Sequence, residues 1–188
     1  MRDCTQFYID GQWVDPVEEN TVAVENPATE QTIGHISFGT AADVDKAVVA
    51  ARRAFEGFSQ TSKEERLTLL RAIQAEIETR KEELATAVSD EMGAPLSLAN
   101  GPHVGLLAGH CQKAIEVLEG FAFERLDGPT LHVWEPVGVV GMITPWNWPL
   151  NQIACKVFPA LATGNTMVLK PSEIAPFNAC IFAEIMHA

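Results

Sequence analysis

From Phe7 to Phe38 the apolar residues fall in short alternating runs. From Ala41 to Glu119 they recur every three or four positions, and beyond Leu126 the two rhythms interleave. The first region predicts strands. Phe7-Tyr8-Ile9 and Gln12-Trp13-Val14 flank Asp10-Gly11, which supplies the positive φ angles of a two-residue hairpin turn. Thr21 to Val24 and Thr32 to Phe38 are two further strands, separated by the turn-forming Asn26-Pro27-Ala28-Thr29. The middle region predicts helices. One starts near Ala41 and turns Val44, Ala47, Val48, Ala51, Ala54, Phe55 and Phe58 to one face, with Thr40 and Asp43 at capping-box spacing. A cleaner box, Ser62 to Glu65, opens a helix with Leu70, Ile73 and Ile77 inward. Thr79 and Glu82 repeat that spacing, which predicts a break or bend near Thr79. Gly93-Ala94-Pro95 ends the stretch, and a further helix is expected from Leu96 to Glu119, weakest at Gly101-Pro102.

In the last third, Leu126-Asp127-Gly128-Pro129 reads as a turn and Thr130 to Glu135 alternates as a strand does. Pro136 to Thr144 is nearly all apolar, the pattern of a strand buried on both faces of a parallel sheet. Leu150, Ile153, Ala154, Val157 and Leu161 share a helical face, with Pro159 inviting a kink. Thr166 to Leu169 is a second buried strand, and Pro176 to Ala188 starts another helix. The order is β-α-β-α, so the fold class is α/β.

Composition narrows the function classes. The 188 residues carry 13 Lys+Arg against 25 Asp+Glu, a formal net charge of −12. A polyanion is repelled by that balance, which argues against nucleic acid. No apolar run has the length of a membrane span, and Met1-Arg2-Asp3-Cys4 lacks the apolar core of a signal peptide. A cytoplasmic location is the expectation. Cys4, Cys111, Cys155 and Cys180 are too widely spaced for a metal cluster and are expected to be reduced and structural.

The candidate chemistry lies just after the two buried strands, where open α/β sheets place their ligands. After the first comes Thr144-Pro145-Trp146-Asn147-Trp148-Pro149, and after the second Lys170-Pro171-Ser172-Glu173. A neutral amide such as Asn147 is neither base nor nucleophile. It either satisfies backbone groups in its turn or donates to oxygen charge developing in a transition state. Glu173, 26 residues on, stands about where an acid accepts hydrogen bonds from a dinucleotide ribose. It also fits a helix start with Ser172 as N-cap. The usual glycine fingerprint is absent: Val137-Gly138-Val139-Val140-Gly141 has the wrong spacing and lies within the strand.

The run from Glu135 to Pro176, EPVGVVGMITPWNWPLNQIACKVFPALATGNTMVLKPSEIAP, closely resembles the aldehyde dehydrogenase superfamily. The Asn26-to-Thr29 turn and the Asp43-to-Phe55 helix resemble its N-terminal region. The resemblance implies N-terminal β-hairpins and helices (residues 1–125), an oligomerisation strand element (126–135), and the first β-α-β-α of an incomplete Rossmann-like domain (136–188). It also implies NAD(P)-dependent oxidation of an aldehyde to a carboxylic acid. A cysteine thiolate attacks the carbonyl, hydride passes to the nicotinamide, and a glutamate-activated water hydrolyses the thioester. Asn147 matches the oxyanion-holding amide. Ile143, Thr144, Pro145 and Trp146 match the backbone that passes under the cofactor. Lys170 and Glu173 match residues on the adenosine ribose, with Ser172 beside them. Glu173 favours NAD, and Lys170 leaves NADP possible. Trp148, Gln152 and Cys155 match the aldehyde channel, and Lys156 a lysine near the site.

No cysteine here matches the family nucleophile, and the general-base glutamate, the glycine-rich nicotinamide loop and the catalytic domain have no counterpart. The chain therefore reads as an N-terminal portion, inactive alone, of a protein expected to form homo-oligomers. The alternative is a non-catalytic module that binds nucleotide or assembles with itself or with full-length subunits.

Overall fold

The computed structural model describes residues 2–188. Among the described residues there are nine short strands in four small sheets, and the core is built mainly from helices. β1 (Arg2–Cys4), β5 (Gln31–Ser37) and β4 (Thr21–Asn26) form one sheet in the order β1-β5-β4, with β1 parallel and β4 antiparallel to β5. The strand β1 is invisible to periodicity, since three residues, two of them charged, carry no alternation. β2 (Phe7–Ile9) and β3 (Gln12–Val14) make the expected hairpin, with Asp10 at φ 57° and Gly11 at φ 73° in its turn. The Asn26 turn also forms, its side-chain Oδ1 accepting from the Ala28 N–H at 2.9 Å.

The helices are α1 (Ala41–Phe58), α2 (Lys63–Thr79), α3 (Lys81–Met92), α4 (Leu96–Leu98), α5 (Val104–Gly120), α6 (Pro149–Ala162) and α7 (Phe177–His187). Leu70, Ile77, Leu84, Leu107, Leu150, Ile153, Phe158 and Ile181 fill the core between them. The Ser62 box closes both ways: the Glu65 N–H donates to Ser62 Oγ at 3.2 Å, and the Ser62 N–H to Glu65 Oε2 at 2.7 Å. The break near Thr79 falls at Arg80. No box forms there, because Thr79 Oγ1 donates back to the Ala75 carbonyl. The weak point at Gly101-Pro102 becomes a π-helical turn, Ala99–His103, between α4 and α5.

Four expectations are corrected. The buried face of α1 is narrower than its periodicity predicts: Ala50, Ala51 and Asp43 are buried, while Val44 and Ala54 are exposed. Asp43 turns inward because its carboxylate accepts from the N–H groups of Val17 and Thr40 and from Thr40 Oγ1. Second, the expected turn from Leu126 begins only after Asp127, Leu126 and Asp127 being strand. β6 (Glu124–Asp127) pairs with β7 (Thr130–Val133) as an antiparallel ribbon exposed on both faces. Third, β8 (Val139–Ile143) starts three residues late, because Pro136 has no N–H and Gly138 sits at φ +134°. It is also not buried on both faces: Ile143 is 77% exposed. Fourth, Cys155 is exposed on α6, so it does not serve as the structural, packed thiol expected of it. All four cysteines are free thiols. Pro159 lies inside α6, exposed to solvent, and the helix continues past it to Ala162.

β8 and β9 (Thr166–Lys170) pair in parallel, with α6 as the crossover. Val140, Met142, Met167 and Leu169 face the core on one side. On the other, Thr166 Oγ1 donates to the Ala51 carbonyl of α1 at 2.8 Å. Among the described residues, no helix is long and apolar enough to cross a membrane.

Candidate functional site

Register decides what meets at the end of the small parallel sheet. Ile143 lies opposite Lys170, so the loops that follow the two strands leave the same edge side by side. The Thr144 N–H donates to the Lys170 carbonyl at 3.2 Å, and Thr144 is only 3% exposed. The opposite edge is locked by Asn165, buried where the α6–β9 connection turns at Gly164 with φ +77°. Its Oδ1 accepts from the Gly138 N–H at 2.9 Å, and its Nδ2 donates to Thr163 Oγ1 at 2.8 Å.

Past Thr144, the side chains of Pro145, Trp146 and Asn147 are exposed. Trp148 is half-buried and stacks on His103 of the π-helical turn, ring centroids 4.2 Å apart at 15°. Pro149 then opens α6, where its missing N–H and fixed φ suit the first helical position. The backbone is thus anchored on both sides of a short exposed segment. Trp148, Gln152 and Cys155 follow at helical spacing along α6. Lys156 Nζ donates to Gln152 Oε1 at 2.9 Å and to the Gln152 carbonyl at 3.2 Å, and lies 3.8 Å from Cys155 Sγ.

On the neighbouring loop, Lys170 Nζ and Glu173 Oε2 form an exposed ion pair at 3.0 Å. The Glu173 backbone N–H and the Lys170 ammonium hold the carboxyl below the ordinary glutamate range, so it is ionised at neutral pH. Ser172 does not cap α7: its Oγ accepts from the Ile174 N–H at 3.2 Å, and the helix starts only at Phe177. The cap comes from Glu91 of α3, a residue that no local spacing rule singles out. Its Oε2 accepts from the Phe177 N–H at 2.5 Å and its Oε1 from the Asn178 N–H at 3.0 Å. His103 and Asn165 were equally silent, since no spacing rule joins them to the loops they hold.

The strand ends therefore bring Ile143, Thr144, Pro145, Trp146 and Asn147 together with Lys170, Ser172 and Glu173. Trp148, Gln152 and Cys155 continue from the first loop along α6. A shallow apolar groove of about 270 Å³ lies elsewhere, lined by His110, Val117, Phe121, Phe123 and Pro159. It holds none of these residues. Among the described residues, no His, Cys, Asp and Glu side chains group as a metal site. An exposed amide, an ion pair and an open apolar strand end lie together at the C-terminal edge of a parallel β-α-β unit, the edge at which open α/β folds place their ligands.

The aldehyde dehydrogenase family pattern matches residues 13–188, and the chain belongs to that family. A 3-succinoylsemialdehyde-pyridine dehydrogenase from a Pseudomonas species is 55% identical over 186 residues, covering 98% of this chain and 39% of the relative. The crystal structure of an aldehyde dehydrogenase from Bartonella henselae superposes with a TM-score of 0.97 at 41% identity, over 100% of this chain and 40% of the other. A variant of aldehyde dehydrogenase C from Pseudomonas syringae, crystallised with NAD+ and octanal, gives a TM-score of 0.96 at 49% identity, over 98% of this chain and 38% of the other. The chain spans about two-fifths of the length of the relatives it matches.

Proposed function

We propose that this chain is the cofactor-holding and oxyanion-holding part of an NAD-dependent aldehyde dehydrogenase, which oxidises an aldehyde to a carboxylic acid. The observation that carries the reading is the pairing of Ile143 with Lys170, which sets the Asn147 loop beside the Lys170-to-Glu173 loop. The residues present fit a dinucleotide. Ile143 and Trp146 offer exposed apolar surface for rings, and the Lys170–Glu173 pair offers a donor and an acceptor to vicinal ribose hydroxyls, with Ser172 alongside. Bound NAD supplies the acceptor for the hydride that leaves the aldehyde carbon.

The ionised Glu173 accepts from a free 2′-hydroxyl and repels a 2′-phosphate, which favours NAD over NADP. Lys170 keeps NADP within reach. The backbone from Ile143 to Trp146 would hold the cofactor at the strand end. Asn147 donates its amide N–H to the oxygen that gains charge on the carbonyl. Trp148, Gln152 and Cys155 wall the aldehyde's approach, with Lys156 close by. The nucleophilic cysteine and the base glutamate are not among these residues, so the 188 residues on their own turn over no aldehyde. NADH formation by the pure 188-residue chain overturns that statement.

Calorimetric titration with NAD tests the ribose clamp. Glu173→Ala removes a charged acceptor worth about 1.5–3 kcal/mol, so affinity should fall by roughly ten- to a hundredfold. Indistinguishable heats from the two proteins remove Glu173 from the site.

A second reading, assembly, rests on the β6–β7 ribbon. Leu126, Leu131 and Val133 are exposed on it, with Trp134 just beyond, and its edges carry unpaired backbone groups. Under this reading the segment 126–135 joins copies of the protein into a homo-oligomer. Light scattering decides, since a clean monomer at high concentration removes it.

A further inference from the structure

His103 is the least expected side chain of the core. It is 0% exposed, and neither ring nitrogen has a hydrogen-bond partner among the described residues. Burying polar nitrogens without partners costs stability. Leu or Phe would fill the same space without that cost, so hydrophobic filling alone does not account for it. The ring ends the π-helical turn Ala99–His103, an irregularity that re-aims one side chain relative to the helix around it. It is aimed at Trp148, lying flat against the indole at 4.2 Å and 15°. Burial depresses its pKa, so the imidazole is neutral at pH 7 and stacks as an uncharged plate.

Trp148 immediately follows Asn147, and its carbonyl accepts from the Gln152 N–H at 2.9 Å in the first turn of α6. On the other side of Asn147, the nearest anchor is the Thr144–Lys170 backbone bond. The intervening residues are exposed. The stack is therefore a side-chain anchor at the α6 end of the loop. We propose that His103 is a positioning residue, which fixes Asn147 for oxyanion binding by clamping the Trp148 indole from below. The role rests on the dehydrogenase reading above. His103 touches neither substrate nor cofactor and acts through Trp148 alone.

Steady-state kinetics of the complete dehydrogenase test the role in a double-mutant cycle. His103→Leu keeps the site apolar and filled but removes the flat ring. A displacement of order 1 Å at a positioned group costs about a hundredfold in rate, so kcat should drop by roughly ten- to a hundredfold with KM for NAD unchanged. In an Asn147→Ala background the same His103→Leu change should cost almost nothing, because the group it positions is gone. Equal losses in the two backgrounds overturn the proposal, as does full kcat in His103→Leu. Trp148→Leu breaks the same stack from a half-exposed position, so it reads the role even where His103→Leu fails to fold. It must reproduce the fall in kcat, and an unaltered kcat overturns the proposal. A variant in which every tryptophan but Trp148 is replaced by Phe, Trp13, Trp134 and Trp146 among them, reports Trp148 emission directly. His103→Leu should move that emission to longer wavelength, and an unmoved spectrum overturns the stack. A wild-type protein without aldehyde oxidation overturns the dehydrogenase reading and the positioning role with it, while the emission spectrum still reports on the stack itself.

Discussion

Glu91 lies on α3, is 1% exposed, and directs both carboxylate oxygens at the first turn of α7. Besides the two backbone N–H groups, Asn178 Nδ2 donates to Oε1. Burial pushes the carboxyl from the ordinary 4.5 up to about 7, against the downward pull of these three donors. The sign of the pH effect follows. A carboxyl whose folded pKa is raised binds its proton more tightly in the folded state. The stability it contributes is fully present below about pH 4.5 and is lost as pH rises through about 7. That interval, at roughly 1.4 kcal/mol for each pH unit, amounts to about 3 kcal/mol. Glu91→Gln cannot ionise and has no such slope. Other carboxylates oppose the trend in both proteins: Glu83 and Glu184, paired with Arg2 and Arg80, are held below the usual range. Taking the difference between wild type and variant cancels them. Denaturant unfolding of the two proteins at steps from about pH 5 to 8 should show wild type losing roughly 2.5 kcal/mol relative to Glu91→Gln, the part of that total lost above pH 5. A flat difference, or one that rises with pH, refutes the reasoning. It would mean that the N–H donors of α7 outweigh burial and keep Glu91 ionised throughout.

Three other changes follow from local geometry. A Cβ at Gly34 would lie 1.7 Å from the Arg2 carbonyl oxygen and 2.8 Å from Phe177 Cζ. Gly34→Ala should therefore unpair β1 from β5 and cost roughly 3 kcal/mol, read as a lower thermal midpoint. Ser62→Ala removes the acceptor of the Glu65 N–H and should cost about 1 kcal/mol by denaturant unfolding. Asn147→Ala in the complete enzyme should lower kcat by about 10²–10³ with little change in KM, as expected of a donor that acts on transition-state charge.

What the sequence made legible is what local rules control. Asp10-Gly11 and Ser62-to-Glu65 form because turn angles and caps are settled within four residues, whatever packs around them. The β-α-β order and the two loops at its strand ends were equally readable, since a buried parallel strand carries its own apolar run. Burial on the second face of β8 was not, because an apolar run does not say whether anything covers both sides of it. Nor was the α1 face, where Asp43 outcompetes Val44 for the interior by collecting three donors from Val17 and Thr40. Glu91 and His103 are legible only in three dimensions. Each serves a partner more than forty residues away, Phe177 and Asn178 for the first, Trp148 for the second.

The division of labour at the strand ends is itself informative. The groups that hold the loops are buried: Thr144 against the Lys170 backbone, Asn165 against Gly138, His103 beneath Trp148. The groups with chemistry to offer are exposed: Asn147, Lys170, Glu173 and Cys155. So are Ile143, Trp146 and Ile174, whose apolar surface gains about 25 cal/mol for each Å² removed from water. Folding this chain leaves that gain unrealised. A surface so arranged keeps its geometry fixed before anything binds, so little ordering cost opposes binding there. Under the proposed reading the apolar residues contribute affinity, while Asn147 and Glu173 choose the orientation. Reversing the pattern, with mobile anchors and buried chemistry, would spend the same apolar surface on folding and leave nothing to drive association.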